Sequence, residues 1–262
     1  MLAEWITFLT TPCPRPLRRA GYLGEVIGTR SRHRRCRAAW KPHLDNTRQT
    51  ILAAALSAPS HRKVTVLGSG LLLDIPLAEL AATFDEVVLV DILHLRPARR
   101  AAARFANVRL AEADLSGALS HLIRSDGGDP SSLMPTDTPL PECDADLVVS
   151  ANLLTQLPVL PCRWLRRHHG APDAATQAFA RNLIRRHLRG LAQAAGQVCL
   201  ISEVEHQVCL GTEIVETVDP LYGVDIGPPM REWLWDIAPR PEIDRHYDLR
   251  YRVVATAGPA AA

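Results

Sequence analysis

The residues of this chain best suited to chemistry sit just after short apolar runs. Gly68-Ser69-Gly70 follows the run at 63–67, and Asp91 ends the run at 86–91. Asp114 follows 108–111, Ser150-Ala151-Asn152 closes 146–150, and Ser202-Glu203 follows 198–201. Two glycines in three residues let the backbone turn tightly and approach a ligand with no Cβ between. Asp91 stands 23 residues after Gly68. A carboxylate at that spacing and at a strand end can accept hydrogen bonds from both hydroxyls of a ribose, although Asp also suits a helix cap. Asp114 can accept a hydrogen bond from the exocyclic amino group of a purine. Glu203, Glu205 and His206 are the candidate bases, Glu203 first and His206 second. Asn152 and Gln156 are candidate amides for orienting a substrate, with local helix capping the stronger reading for Gln156.

These positions need a scaffold that brings strand ends together. The β-branched, apolar runs at 63–67, 86–91, 108–111, 146–150 and 198–201 read as buried parallel strands. Helical patterns separate them: 75–81 with Pro76 in its first turn, 96–105, 116–124, and a long helix opened by Pro172-Asp173 and closed by Gly196. That long helix carries Phe179, Leu183, Ile184, Leu188 and Leu191 on one face. A loop at 125–142 reads as a surface excursion, and 250–255 as a terminal strand. The alternation implies an α/β fold: a Rossmann-like, doubly wound, mostly parallel sheet with helices on both faces. In such sheets ligands bind beyond the carboxyl ends of the strands, where the strand order reverses. Residues 1–58 read as an N-terminal helical extension and 59–258 as the single sheet-bearing domain. Trp233 and Trp235 share a face if they lie in a strand, against a substrate or against the extension.

Charge divides the chain the same way. The net charge of the 262 residues is +2, but residues 1–50 hold ten basic and three acidic groups, so the extension carries +7 and the remainder −5. Apolar side chains such as Trp5, Leu23, Ile27 and Trp40 run through the basic segment, which favours a packed, solvated helical face over a nucleic-acid-binding arm. With 47% apolar and 22% charged residues the composition is that of a globular protein, and no apolar run is long enough for a membrane helix. The start does not read as a signal peptide. Six scattered cysteines with no CxxC spacing argue against a zinc site or a disulfide framework, and place the chain in a reducing cytoplasm. The His168-His169 pair has no carboxylate or Cys at ligand spacing, so no metal site is expected.

The segments 64–70, 88–91, 113–115 and 146–154 together resemble, in order and spacing, the Rossmann-like (class I) S-adenosylmethionine-dependent methyltransferases. The resemblance covers about residues 62–205 and identifies no subfamily. It implies S-adenosylmethionine as cofactor. Gly68, Ser69 and Gly70 would lie at the methionine portion, with Asp74 supplying a carboxylate there. Asp91 would hold the ribose hydroxyls with Ile92 against the adenine, and Asp114 the adenine amino group with Leu115 nearby. Ser150, Ala151 and Asn152 would line the methyl-transfer mouth. Two positions depart from the family pattern: Val66 stands where an acidic residue is common, and Leu72 where a third glycine is common. The absence of an Asn-Pro-Pro-aromatic run after the fourth strand points to a small-molecule or protein acceptor. Two other readings compete. A methyltransferase-like scaffold without activity accords with Val66 and Leu72, and an NAD(P)-dependent oxidoreductase shares Gly68, Gly70 and Asp91 but gives Asp114 no purpose.

Overall fold

The computed structural model describes residues 2–119 and 139–258. Four helices come first: α1 (Leu2–Thr10), α2 (Arg15–Ala20), α3 (Tyr22–Arg35) and α4 (Arg37–Ser57). The alternating part follows with β1 (Lys63–Leu67), α5 (Leu77–Thr83), β2 (Glu86–Asp91), α6 (Arg96–Ala102), β3 (Val108–Glu112) and β4 (Leu147–Ala151). Then come α7 (Val159–His169), α8 (Asp173–Ala192), β5 (Gln197–Leu210), β6 (Glu213–Val218), β7 (Arg231–Ala238) and β8 (Asp248–Thr256). The helix expected at 116–124 and the loop expected at 125–142 fall mostly outside the described residues. No described helix is long and apolar enough to cross a membrane.

The strands form one sheet in the order β3-β2-β1-β4-β5-β8-β7, with β6 pairing off this path with β5. The first five are mutually parallel; β8 runs antiparallel to β5 and to β7. Order 3-2-1-4-5 is that of a doubly wound Rossmann-like sheet, and its direction reverses between β1 and β4. The strand cores are continuous apolar runs because both faces are covered: Val64, Val66, Leu67, Val87 to Val90 and Leu147 to Val149 are all fully buried. Val64, Val66, Leu89 and Val149 face Trp40, Leu44 and Ile51 of α4 and Leu77 and Leu80 of α5. Leu67, Val88, Val90 and Val148 face Ile184, Leu188 and Leu191 of α8.

α4 is therefore part of the helical layer on one face of the sheet, and the boundary expected at 58/59 passes through a shared core. Trp40 donates its indole N–H to the Ile237 carbonyl of β7 at 2.8 Å and meets Trp235 edge-on, with ring centroids 5.0 Å apart. Of the two roles open to the Trp233/Trp235 pair, Trp235 packs on the extension. α3 lies higher, with Leu23 and Ile27 against Leu93 and Leu95 just after β2.

β5 is longer than the sequence suggests. Its apolar half, 197–201, pairs with β4; its polar half continues to Leu210 because β8 and β6 supply antiparallel partners. Glu203, Glu205 and His206 thus stand within a strand rather than after one.

His187 of α8 is fully buried and lies 3.0 Å from the Ser150 hydroxyl through Nε2. Burial lowers its pKa to about 3. The folded state therefore keeps it neutral while the unfolded chain protonates it below about 6.5, so its contribution is complete above that pH and declines as pH falls toward 3. His187→Gln is expected to lose about 2 kcal/mol less stability than the parent between pH 7 and pH 5 in urea titrations. Equal losses would place the proton uptake elsewhere.

Candidate functional site

The crevice at the reversal point is lined by the turn after β1 on one side and the turn after β4 on the other. The first turn depends on its glycines. Gly68 has φ +75° and Gly70 φ +51°, and a Cβ on Gly68 would lie 2.9 Å from Leu153. Gly68→Ala is expected to destabilise the fold by about 1–3 kcal/mol in urea titrations, from backbone strain and the forced move of Leu153; no change would mean that the turn is not fixed as described. Leu72, at the position where the resembled family has a third glycine, also adopts a left-handed conformation, with φ +59°. The chain keeps the backbone shape without the residue that adopts it most easily. Ser69 is buried, and its hydroxyl turns to His94 Nε2 at 3.2 Å.

Asp91 ties this turn to the end of β2. One carboxylate oxygen accepts the Gly70 N–H at 2.7 Å; the other accepts the Ile92 N–H at 2.7 Å and the Leu93 N–H at 3.4 Å. A carboxylate has about four acceptor sites, so capacity remains toward the cleft, where Asp91 is partly exposed. Burial raises its pKa, and the Gly70 amide opposes that rise. Ile92 packs between this strand end and the helical extension.

Asp114 is more heavily committed. One oxygen takes the Ser116 N–H at 3.0 Å and the Ser116 hydroxyl at 2.6 Å, and the other takes the Leu119 N–H at 2.8 Å. The capping role considered for Asp91 is thus carried mainly by Asp114. Leu115 is buried in the core beneath it. Tyr22 of α3 packs in one cluster with Ile92, just after Asp91. Burial raises its pKa, reinforced by the negative charges of Asp114 and Asp91. The extension therefore reaches the end of β2 beside Asp91.

Across the reversal point, Asn152 N–H donates to the Ile201 carbonyl at 2.8 Å, and Asn152 Nδ2 donates to Asp74 Oδ2 at 2.7 Å. This bond links the turn after β1 to the turn after β4. Asn152 sits at φ +53°, a conformation Asn tolerates better than most residues. Its Oδ1 is buried without a partner. His43 of α4, itself buried, places Nε2 3.2 Å from Asn152 Nδ2. Its Nδ1 accepts the Trp233 indole N–H at 3.0 Å, and the ring stacks on Trp235 at 3.9 Å. Burial lowers the His43 pKa to about 3, so the ring is neutral at physiological pH. Burial raises the pKa of Asp74, which remains partly exposed.

Three expectations need correction. Ser150 was expected to line the mouth, but its side chain is fully buried against His187. Alternation along β4 is the reason: Val149 and Ala151 point toward α4, so Val148 and Ser150 point toward α8. Ala151 is likewise buried in the core. His206 stands five residues beyond Ile201, about 16 Å along an extended strand, with its ring stacked on Tyr251 at 3.7 Å. It does not join Asn152 and Asp74. Glu203 does approach this region: it is 3% exposed and accepts the Thr155 hydroxyl at 2.7 Å. Gln156 donates to the Asn152 carbonyl at 2.6 Å, the local role expected of it. Among the residues not foreseen, Thr155 alone carries a sequence signal, its place three residues after Asn152. His43 and Tyr22 reach the site from the extension, where nothing in the local pattern marks them.

No known protein family and no curated protein matches the sequence. Solved structures do resemble the chain. The strand order is that of a Rossmann-like, doubly wound sheet. One resembling structure is the Burkholderia thailandensis 1,6-didemethyltoxoflavin-N1-methyltransferase, at 15% identity and TM-score 0.43, with 92% of this chain and 91% of that one covered. Another is the N-methyltransferase NodS from Bradyrhizobium japonicum WM9, at 14% identity and TM-score 0.36, with 80% and 85% covered. The YcgJ protein from Bacillus subtilis has 14% identity and TM-score 0.34; the match takes in 59% of this chain and spans half of that one, 50%.

Proposed function

We propose that this chain is an S-adenosylmethionine-dependent methyltransferase acting on a small-molecule or protein acceptor. The observation that carries the reading is Asp91 at the end of β2, which holds the Gly70 N–H of the glycine turn and keeps acceptor capacity toward the cleft at the strand reversal. The residues fit the cofactor: Asp91 for the ribose hydroxyls, Ile92 beside the adenine, and Asp74 with the unpartnered Asn152 Oδ1 for the methionine ammonium. Asp114 retains at most one free acceptor site for the adenine amino group.

The cofactor, when bound, supplies a methyl group on a sulfonium, open to in-line displacement. The protein's task is then to align an acceptor and exclude water. The Asp74–Asn152 bond fixes the two walls of the crevice, and Tyr22 packs with Ile92 beside the end of β2. All six cysteines are free, in accord with a reducing, cytoplasmic location.

The reading as a scaffold without activity draws on Tyr22 and the committed Asp114, which leave less room on the adenosine side. Calorimetry with S-adenosylmethionine, S-adenosylhomocysteine and NAD separates the readings. Micromolar binding of the first two and none of NAD is expected. Binding of none of the three would favour the scaffold, and NAD alone would favour an oxidoreductase.

A further inference from the structure

Asp74 and the cofactor's ammonium account for one carboxylate in the crevice and leave Glu203 unexplained. It is 3% exposed and takes a single side-chain hydrogen bond, from Thr155, although an ionised carboxylate has about four acceptor sites. Among the described residues, no Lys, Arg or His forms an ion pair with it; Arg252, the nearest in sequence register, pairs instead with Glu205 and Glu232. A buried carboxylate without a cation is costly, and a partner that brings positive charge removes the cost. Thr155 stands on the same β4–α7 turn as Asn152, which bonds Asp74, so Glu203 lies beside the wall of the crevice that the cofactor's ammonium would share. Aromatic rings stand close by. Glu203 pairs with Val253 of β8, which shares a cluster with Tyr251 and Trp235; Tyr251 meets Trp235 edge-on at 5.8 Å, and Trp235 stacks on His43. A carboxylate beside aromatic rings is the chemistry that recognises an organic ammonium ion.

We propose that Glu203 is the anchor for the methyl acceptor, and that the acceptor is an amine that enters as its ammonium ion. The proposal rests on the methyltransferase reading above. The ammonium gives one proton to the Glu203 carboxylate. The freed nitrogen lone pair forms the new N–C bond as the C–S bond of the sulfonium breaks, the sulfur keeps that bonding pair as a thioether, and the positive charge passes to nitrogen. The proton on Glu203 leaves to solvent with product. No further reagent is needed. Burial holds the pKa of the empty Glu203 above its ordinary range, and the Asp74 charge adds to the rise.

The test uses the full chain saturated with S-adenosylhomocysteine, which occupies Asp74 with its own ammonium. Phenethylamine and its neutral analogue 2-phenylethanol are titrated in turn by calorimetry. The amine is expected to bind at least about tenfold more tightly than the alcohol, the scale of one charge-assisted contact. Glu203→Gln is expected to remove that preference, and Thr155→Val to reduce it. Equal affinities, no amine binding at millimolar concentration, or a preference that survives Glu203→Gln would overturn the proposal. Should both variants fail to fold, the comparison of amine and alcohol on the parent protein still decides it. Failure of S-adenosylhomocysteine to bind the parent would instead refute the methyltransferase reading on which the proposal stands.

Discussion

Asp91→Ala is expected to weaken S-adenosylmethionine binding by about 100-fold or more. Two hydrogen bonds from ribose hydroxyls to a carboxylate are worth about 1.5–3 kcal/mol each, and each 1.4 kcal/mol is tenfold in affinity. The substitution also removes the acceptor for the Gly70 and Ile92 amides, so the glycine turn loses its tie to β2 as well as its ligand contact. Asp91→Asn separates the two effects. Its amide oxygen can still take one backbone N–H, so the turn is expected to stay near its place while affinity falls by roughly tenfold. Calorimetric titration of both variants, with thermal unfolding as the control for folding, checks the pair. Unchanged affinity in Asp91→Ala would remove the ribose role altogether.

Trp40→Ala is the second large effect, and it concerns stability. Trp40 is 3% exposed, bonds the Ile237 carbonyl and packs edge-on against Trp235. Its loss leaves a cavity between α4 and β7 and an unpartnered carbonyl. Truncating a buried Trp to Ala costs about 3–5 kcal/mol, a large part of the roughly 5–15 kcal/mol by which a domain is stable. Urea denaturation is expected to show that loss. A loss under about 1 kcal/mol would mean that the extension is an appendage, as its charge and its distance from the sequence motifs suggest. Deleting residues 1–40 removes Leu23, Ile27 and Trp40 from their clusters and is expected to cost stability and cofactor binding together.

What the sequence conveyed follows from how local each signal is. The five parallel strands were readable because strands buried on both faces are continuous apolar runs. Gly70 and Asp91 were readable because a turn and a strand end at fixed spacing lie within one β-α-β unit. The polar half of β5 was not, because its partner β8 lies some fifty residues on and its own residues alternate in exposure. The direction of Ser150 was a matter of strand parity, which needs the strand's exact register. The contact of His43 with Asn152 spans 109 residues, and Tyr22 packs with Ile92 from a segment whose arginines suggested a solvated surface. Such contacts are made by packing and leave no periodic trace.

A crystal structure of the full chain with S-adenosylhomocysteine decides whether the turn after β1 and the end of β2 hold the cofactor. Both ribose hydroxyls are expected on the Asp91 carboxylate, with the methionine end against Asp74 and Asn152 and the adenine beside Ile92. A ligand bound away from Asp91, or a crystal soaked at saturating concentration that leaves Asp91 bonded to Gly70 and Ile92 alone, would contradict that placement.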